Sequence, residues 1–141
     1  MTFLDTDHLT LLKYPENPRY ATLVARMEAS ADQEIGTTIV SVEEQWRGWL
    51  AVIARFRDVD RQVAPYRELM GLLDALQRWT VLPFDEAAAV QFTRLRGEGV
   101  RIGSMDLKIA AIVITQGGKL LSRNLKDFRQ IPDLDVEDWT T

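Results

Sequence analysis

Short β-type segments alternate with helical segments along the whole chain, and this alternation is what most restricts the fold. The strand candidates are residues 1–4, 35–40, 80–83, 119–122 and 134–136. The helical candidates between them follow Asp7 and then cover residues 19–29, 85–96, 104–116 and 124–130. Strands that alternate with helices predict an α/β domain with a mostly parallel central sheet.

A long helical hairpin is predicted in the middle of the chain, over about residues 42–79. Apolar side chains recur there at three- and four-residue intervals on both sides of Asp58. The first row is Trp46, Trp49, Leu50, Ile53 and Phe56, and the second is Tyr66, Leu69, Leu73 and Leu76. Side chains at this spacing lie on one face of a helix, so the two rows predict two helices packed together.

Length and composition describe one globular domain over residues 1–141. Of the 141 residues, 46% are apolar and 27% charged, and single domains most often hold about 100 to 150 residues. The absence of Cys excludes a disulfide framework, a thiolate zinc site and a cysteine nucleophile. The one histidine, His8, has no partner for a metal site and is expected to be a surface or packing residue.

Neither a membrane span nor a signal peptide is expected. The longest purely apolar run is residues 109–114, far short of the roughly 20 residues that cross a bilayer. Asp5 and Asp7 stand near the start, whereas a signal peptide opens with basic residues and a longer apolar stretch. We therefore expect a cytoplasmic protein.

Four acidic residues fall at the carboxyl ends of predicted strands or in the first turns of predicted helices. They are Asp5, Glu44, Asp106 and Asp127. Taken singly, each fits helix capping: residues 41–44 and 124–127 match the capping-box pattern, and Ser104 with Asp106 suits a helix N-terminus. Taken together, they predict a site, because the carboxyl ends of parallel strands lie along one edge of a sheet.

The chemistry of such a site follows from the residue types. Several carboxylates brought close together repel one another unless a cation neutralises them. Ligation by oxygen alone favours a hard ion, Mg²⁺ or Mn²⁺, over zinc or copper. A metal of this kind activates water and stabilises the charge on a phosphodiester, so hydrolysis of nucleic acid is the reaction indicated.

Four segments carry a resemblance to a known family. They are residues 4–7 (LDTD), residues 41–44 (SVEE) with Gly48, residues 102–111 (IGSMDLKIAA) and residues 121–128 (LSRNLKDF). In this order, with closing segments at 131–134 and 137–139, the chain resembles the PIN-domain ribonucleases, and among them the VapC-type toxins of bacterial toxin–antitoxin pairs. The resemblance implies a three-layer α/β/α fold, an Mg²⁺- or Mn²⁺-dependent endoribonuclease, a homodimer and a cognate antitoxin.

The resemblance also assigns residues. It implies that Asp5, Glu44 and Asp106 bind metal, that Asp127 is a fourth acid, and that Ser122 and Asn124 are polar neighbours. Asp7 is a neighbouring acid or a helix cap, since relatives often carry Asn there. Glu43 and Glu44 both compete for the second position. We choose Glu44 because it fits the capping box and precedes Gly48 by four residues.

The charge distribution is compatible with an RNA substrate. The net charge is −4, from 17 basic and 21 acidic residues, which argues against broad electrostatic capture of nucleic acid. The last third is nevertheless rich in basic residues, namely Arg94, Arg96, Arg101, Lys108, Lys119, Arg123, Lys126 and Arg129. These side chains are candidates for contacts with an RNA backbone.

Two alternatives come from other functional classes. A phosphoacceptor receiver domain has a similar sheet and an acidic Mg²⁺ pocket, but it needs an Asp that ends a middle strand and a Lys that ends a later one. Here the second strand candidate is followed by Ser41, and Lys119 begins its strand. A catalytically silent PIN-like module that acts by protein contact is the second alternative, and a nuclease assay distinguishes it.

Overall fold

The computed structural model describes all 141 residues and contains five strands and seven helices. In chain order they are β1 (Thr2–Leu4), α1 (Thr6–Leu11), α2 (Pro18–Ala29), β2 (Ile35–Thr38), α3 (Ile39–Arg55), α4 (Val59–Leu76), β3 (Thr80–Leu82), α5 (Glu86–Gly97), α6 (Ser104–Thr115), β4 (Lys119–Leu121), α7 (Leu125–Phe128) and β5 (Asp135–Glu137). None of these helices is both long enough and apolar enough to cross a membrane.

All strand pairs are parallel, and the strands lie in the order β3-β2-β1-β4-β5. The chain runs outward from β1 to β3 on one side and from β4 to β5 on the other. The order therefore reverses between β1 and β4, where Leu4 pairs with Leu121. In sheets of this type, ligands bind at the carboxyl ends of the strands beside such a reversal.

The two faces of the sheet bury separate apolar clusters, because successive strand side chains point to opposite faces. Phe3 and Leu120 pack into the larger cluster, with residues of α5 and α6 such as Leu95 and Ile112. The strand residues that follow them, Leu4 and Leu121, point to the other face. They pack into the smaller cluster with Leu11, Leu23 and Trp139. Helices thus cover both faces, and the predicted three-layer α/β/α architecture is confirmed.

The helical hairpin consists of α3 and α4, so it begins and ends about three residues earlier than predicted. Ile53 is buried on α3, and Pro65, Leu69 and Leu72 are buried on α4. The second predicted row was wrong in part, because its members Tyr66 and Leu73 are 53% and 44% exposed. The row mixed two faces of α4, since apolar residues occupy more of this helix than one face can bury.

The second strand is shorter than its β-branched composition predicted. It ends at Thr38, and α3 starts at Ile39. The Oγ1 of Thr38 accepts a hydrogen bond from the Ser41 backbone N–H at 3.1 Å, so Thr38 caps the helix. This cap satisfies a backbone donor that an extended chain would leave unpaired, which outweighs the β propensity of Ile39 and Val40. The predicted capping box at residues 41–44 was therefore wrong.

Candidate active site

Asp5 lies directly at the reversal of strand order. It follows β1, and its backbone N–H donates to the Leu121 carbonyl at 2.9 Å. Its Oδ1 accepts from the Thr6 backbone N–H at 2.7 Å, and its Oδ2 accepts from Ser122 Oγ at 2.8 Å. The residue is only 6% exposed. Burial, followed by the charge of Asp7, raises the pKa of Asp5 to about 7 despite these two hydrogen bonds.

Glu44 reaches the same region from the second turn of α3. Its Oε2 accepts a hydrogen bond from Thr6 Oγ1 at 2.8 Å. Burial raises the pKa of Glu44, and the charges of Asp106 and Asp7 raise it further. Glu43 instead forms a surface ion pair with Arg47 at 2.6 Å. Glu44 is thus the acid directed toward the other carboxylates, although the capping argument that selected it was wrong.

Asn124 joins the two remaining acids. Its Nδ2 donates to Asp106 Oδ2 and to Asp127 Oδ2, both at 3.1 Å. Burial raises the pKa of Asp106, and the charge of Asp127 adds to the effect. Asp106 and Asp127 lie in the first turns of α6 and α7, as predicted, but the capping box at residues 124–127 was wrong, because the N-cap Asn124 makes no side-chain cap bond. Asn124 donates instead to the two carboxylates, because hydrogen bonds to ionised groups are stronger than those between neutral groups.

Asp7 holds the loop that follows β4. Its Oδ2 accepts from the Arg123 backbone N–H at 2.9 Å and lies 3.4 Å from Ser122 Oγ. Ser122 Oγ also accepts from the Asn124 backbone N–H at 3.1 Å. The predicted neighbours Ser122, Asn124 and Asp7 therefore all lie at this site, in one continuous hydrogen-bonded network with the carboxylates.

Two residues of the network were missed in the sequence. Thr6 donates to Glu44, and His8 contacts Asp7 Oδ1 through Nδ1 at 2.6 Å. Both lie beside predicted site acids in the same turn of α1. Their position was the signal that could have identified them, because Thr6 and His8 are chain neighbours of Asp5 and Asp7 in the first helical turn after β1.

The carboxylates raise one another's pKa values. The charges of Asp7 and Glu44 raise the pKa of Asp5, the charge of Asp106 raises that of Glu44, and the charge of Asp127 raises that of Asp106. No group of three or more Asp, Glu or His side chains has the spacing of an assembled metal site. The donor set still fits a hard divalent cation, because it contains only carboxylate oxygens supported by hydroxyl and amide groups.

Solved structures of similar shape identify the fold. The chain matches a chain of the DNA-bound VapBC structure from Salmonella typhimurium with a TM-score of 0.75, at 22% identity over 98% of this chain and 97% of that chain. It matches a chain of VapBC-1 from nontypeable Haemophilus influenzae with a TM-score of 0.74, at 20% identity over 99% and 98%. The chain has the fold of a VapC-type PIN domain. The receiver alternative is not supported, because receiver-type sheets follow the order 2-1-3-4-5.

Sequence relatives agree with the PIN fold. The chain is 31% identical over 84 residues to the tRNA(fMet)-specific endonuclease VapC of Salmonella typhimurium, a match that covers 57% of this chain and 64% of that protein. It is 29% identical over 94 residues to ribonuclease VapC2 of Haemophilus influenzae, covering 64% of this chain and 71% of that protein. No protein-family model matches the chain. The VapC-type resemblance stated from the sequence is thereby confirmed.

Proposed function

We propose that the chain is an Mg²⁺- or Mn²⁺-dependent endoribonuclease and the toxin component of a toxin–antitoxin pair. The observation that carries this proposal is that the charges of Asp5, Glu44, Asp106 and Asp127 act on one another at the carboxyl edge of a parallel sheet, where Asn124 bonds two of the four acids. Three of them have raised pKa values because burial and neighbouring charges disfavour their ionised forms. A bound divalent cation would relieve that cost.

The hydrogen bonds already orient the carboxylates that would hold the metal. Ser122 and the Thr6 backbone fix Asp5, Thr6 Oγ1 fixes Glu44, and Asn124 fixes both Asp106 and Asp127. A carboxylate accepts about four hydrogen bonds or ligand contacts in all, so each of these retains capacity for a cation. When bound, the metal supplies an activated water and neutralises charge on the scissile phosphate.

The side chains left for contact with RNA are fewer than the basic composition indicates. Arg94 pairs with Glu98 and Asp133, and Lys119 pairs with Glu137. Arg123 and Lys126 are exposed, and in the chain they stand on either side of Asn124, which bonds two of the carboxylates. We assign these two residues to the RNA backbone, because phosphate contacts from Arg and Lys position a nucleic acid without reading its bases.

The cleavage assay tests this function directly. Purified chain is incubated with RNA in Mg²⁺, in Mn²⁺, and in EDTA followed by readdition of either metal. Cleavage that requires the metal and returns on readdition supports the proposal. A folded protein that leaves RNA intact with every metal would instead favour the silent binding module. The enzyme is proposed to act in the cytoplasm, where RNA and a co-expressed antitoxin are both present.

An antitoxin partner is supported by solved structures of similar fold. The neighbours of this fold include a toxin–antitoxin complex from Klebsiella pneumoniae, matched with a TM-score of 0.61 at 19% identity over 99% of this chain and 98% of that chain. We propose that the partner docks along the hairpin at Trp46, Trp49 and Phe56, which are half-buried. An Arg of the partner would pair with the acids and take the place of the cation.

We further propose a homodimer. The outer face of α4 carries a continuous apolar row, consisting of Val59, Val63, Tyr66, Met70 and Leu73, each at least 44% exposed. Exposed apolar surface of this extent is uncommon on monomers and favours self-association. Sedimentation at micromolar concentration should give twice the chain mass of 16.1 kDa. A monomer under these conditions would contradict the proposal.

A further inference from the structure

His8 is the chain's only histidine and is completely buried on α1. Its ring lies between Asp7 and the segment after β5: Nδ1 is 2.6 Å from Asp7 Oδ1, and Nε2 is 3.2 Å from the Trp139 backbone nitrogen. We propose that His8 is a positioning residue. It holds the Asp7 carboxylate so that Asp7 fixes the loop carrying Ser122 and Asn124.

The Trp139 contact determines where the His8 proton lies. A backbone N–H can only donate, so Nε2 must accept and carries no hydrogen. The proton of the neutral ring is therefore on Nδ1, from which it is donated to Asp7 Oδ1. The backbone of Trp139 thus selects the tautomer that binds Asp7.

The other charged group beside the ring does not change this assignment. Asp138 Oδ1 lies 3.7 Å from Nε2. That oxygen already accepts from the Thr140 backbone N–H at 2.8 Å and from Thr140 Oγ1 at 2.6 Å. A hydrogen on Nε2 would also face the Trp139 N–H directly. The geometry therefore favours a neutral imidazole with a single proton on Nδ1.

Asp7 passes this constraint on to the candidate site. With Oδ1 bound to His8, the carboxylate can turn little, and Oδ2 is held where it accepts the Arg123 backbone N–H at 2.9 Å. The residues on either side of Arg123 then bind the acids: Ser122 donates to Asp5, and Asn124 donates to Asp106. His8 thereby contributes to the placement of Asp5 and Asp106 through Asp7, without a hydrogen bond of its own to either acid.

Nuclear magnetic resonance tests the tautomer on the unmodified chain. A long-range ¹H–¹⁵N spectrum contains one imidazole, since His8 has no companion. Near neutral pH we expect one protonated and one bare ring nitrogen, with the proton on Nδ1. A proton on Nε2, or a doubly protonated ring, would overturn the inference without any reference to enzyme activity.

Two substitutions separate positioning from packing. In His8→Asn, the amide nitrogen takes the place of Nδ1 and keeps a donor for Asp7. In His8→Gln, the amide oxygen takes the place of Nε2 and keeps an acceptor for Trp139, while the Asp7 donor is lost. Positioning predicts that hydrogen exchange of the Arg123 amide is at least tenfold faster in His8→Gln than in His8→Asn. Equal exchange rates in two folded variants would refute it.

A second variant covers the case in which a His8 variant fails to fold. Asp7→Ala removes the acceptor but leaves the His8 packing intact. It should make the Arg123 amide exchange tenfold faster or more, while the Trp139 N–H keeps His8 in the Nδ1–H tautomer. An unchanged exchange rate of the Arg123 amide, or a proton on Nε2, would overturn the proposal.

The link from this loop to catalysis rests on the proposed nuclease function. In an RNA assay, the kcat of His8→Gln should be at least tenfold lower than the kcat of His8→Asn, with similar KM values. Cleavage by the parent that falls equally in both variants would count against positioning. If the parent cleaves no RNA, the proposed function fails, and the tautomer and exchange experiments still decide the role of His8.

Discussion

Ser122 Oγ donates a hydrogen bond to Asp5 Oδ2 at 2.8 Å, although the two residues lie 117 positions apart in the chain. The pairing of β1 with β4 makes this contact possible, because it places the residues that follow the two strands side by side. The bond stabilises the ionised form of a carboxylate whose pKa burial raises to about 7.

Ser122→Ala should therefore weaken metal binding. Loss of the donor removes one of the two contacts that lower the Asp5 pKa, so more of the protein holds Asp5 protonated at neutral pH. A hydrogen bond to a charged group contributes about 1.5–3 kcal/mol, which predicts a loss of roughly tenfold or more in affinity for Mn²⁺. Calorimetric titration measures this. Thr115→Ala, which removes a hydroxyl bonded to the Ala111 carbonyl, is the matched control and should bind as the parent does.

Asp106→Asn should abolish cleavage while the protein stays folded. The change removes a charge that burial and Asp127 disfavour, yet it keeps an oxygen that accepts from Asn124. We expect the free energy of unfolding to change by about 1 kcal/mol or less, and the cleavage rate to fall by roughly a hundredfold or more. Asp74→Asn on the exposed side of α4 is the control. Cleavage at the parent rate by Asp106→Asn would show that this acid is not part of the site.

The adjacent pair Glu43 and Glu44 offers an internal comparison. Glu44→Gln removes a charge from the carboxylate group and should reduce cleavage by about a hundredfold. Glu43→Gln breaks only a surface ion pair with Arg47 and should leave cleavage unchanged, with a stability loss below about 1 kcal/mol. RNA cleavage and urea unfolding of both variants check this. The assignment fails if the Glu43 variant is the inactive one.

The stability of the metal-free protein should fall as pH rises from about 4 to about 7. Asp5 keeps its proton up to about pH 7 in the folded chain but loses it near its ordinary value of 3.8 when unfolded. The folded state therefore binds more protons in this window, and the stabilisation disappears as pH passes the folded pKa. The raised pKa values of Glu44 and Asp106 act in the same direction.

Urea unfolding in EDTA between about pH 5 and pH 8 measures this slope. Glu137 and Asp138 have lowered pKa values and stay ionised throughout that range, so they contribute none of it. Asp5→Asn should flatten the slope. Mn²⁺ affinity should change in the opposite sense and increase toward pH 7, because the metal competes with protons for the carboxylates. A slope that Asp5→Asn leaves unchanged would refute the site electrostatics.

Trp49→Ala should weaken binding of the antitoxin without unfolding the chain. Aromatic side chains in grooves supply much of the affinity of helix-in-groove complexes, so we expect a loss of about 2 kcal/mol or more. Co-purification of the chain with its upstream gene product, followed by calorimetry, measures the effect. Glu44→Gln is the comparison, since it removes a charge from the acidic site and keeps the aromatic side chains Trp46, Trp49 and Phe56. Parent-like affinity in a folded Trp49→Ala protein would exclude the hairpin as the docking surface.

The sequence alone predicted the α/β architecture, which the structure confirms, and the acids of the candidate site, whose roles stay a prediction. The alternation of short strands with helices predicted the parallel sheet because side-chain periodicity is a local property of the chain. Asp5, Glu44, Asp106 and Asp127 were found because each follows a strand or opens a helix. Residue types then restricted the metal chemistry, since a chain without Cys and with one His can offer a cation little except oxygen.

Boundaries and pairings were decided by tertiary structure. The start of α3 depends on the Thr38 hydroxyl, whose bond to the Ser41 backbone competes with a β propensity that favours two more strand residues. The buried face of α4 depends on where α3 lies. Exposed Tyr66 and Leu73 are apolar like buried Leu69 and Leu72, so residue type alone does not distinguish the two faces. Periodicity identifies faces only when one of them is polar.

The hydrogen-bond network around the acids could not be predicted from the sequence either. Asn124 matches a helix cap and yet donates to Asp106 and Asp127, and His8 resembles a packing residue and yet contacts Asp7. The sequence specifies which groups can donate and accept. The fold decides which of them meet, because the bonds of Asp7 to Arg123 and of His8 to Trp139 join residues more than a hundred positions apart and depend on how the strands are ordered in the sheet.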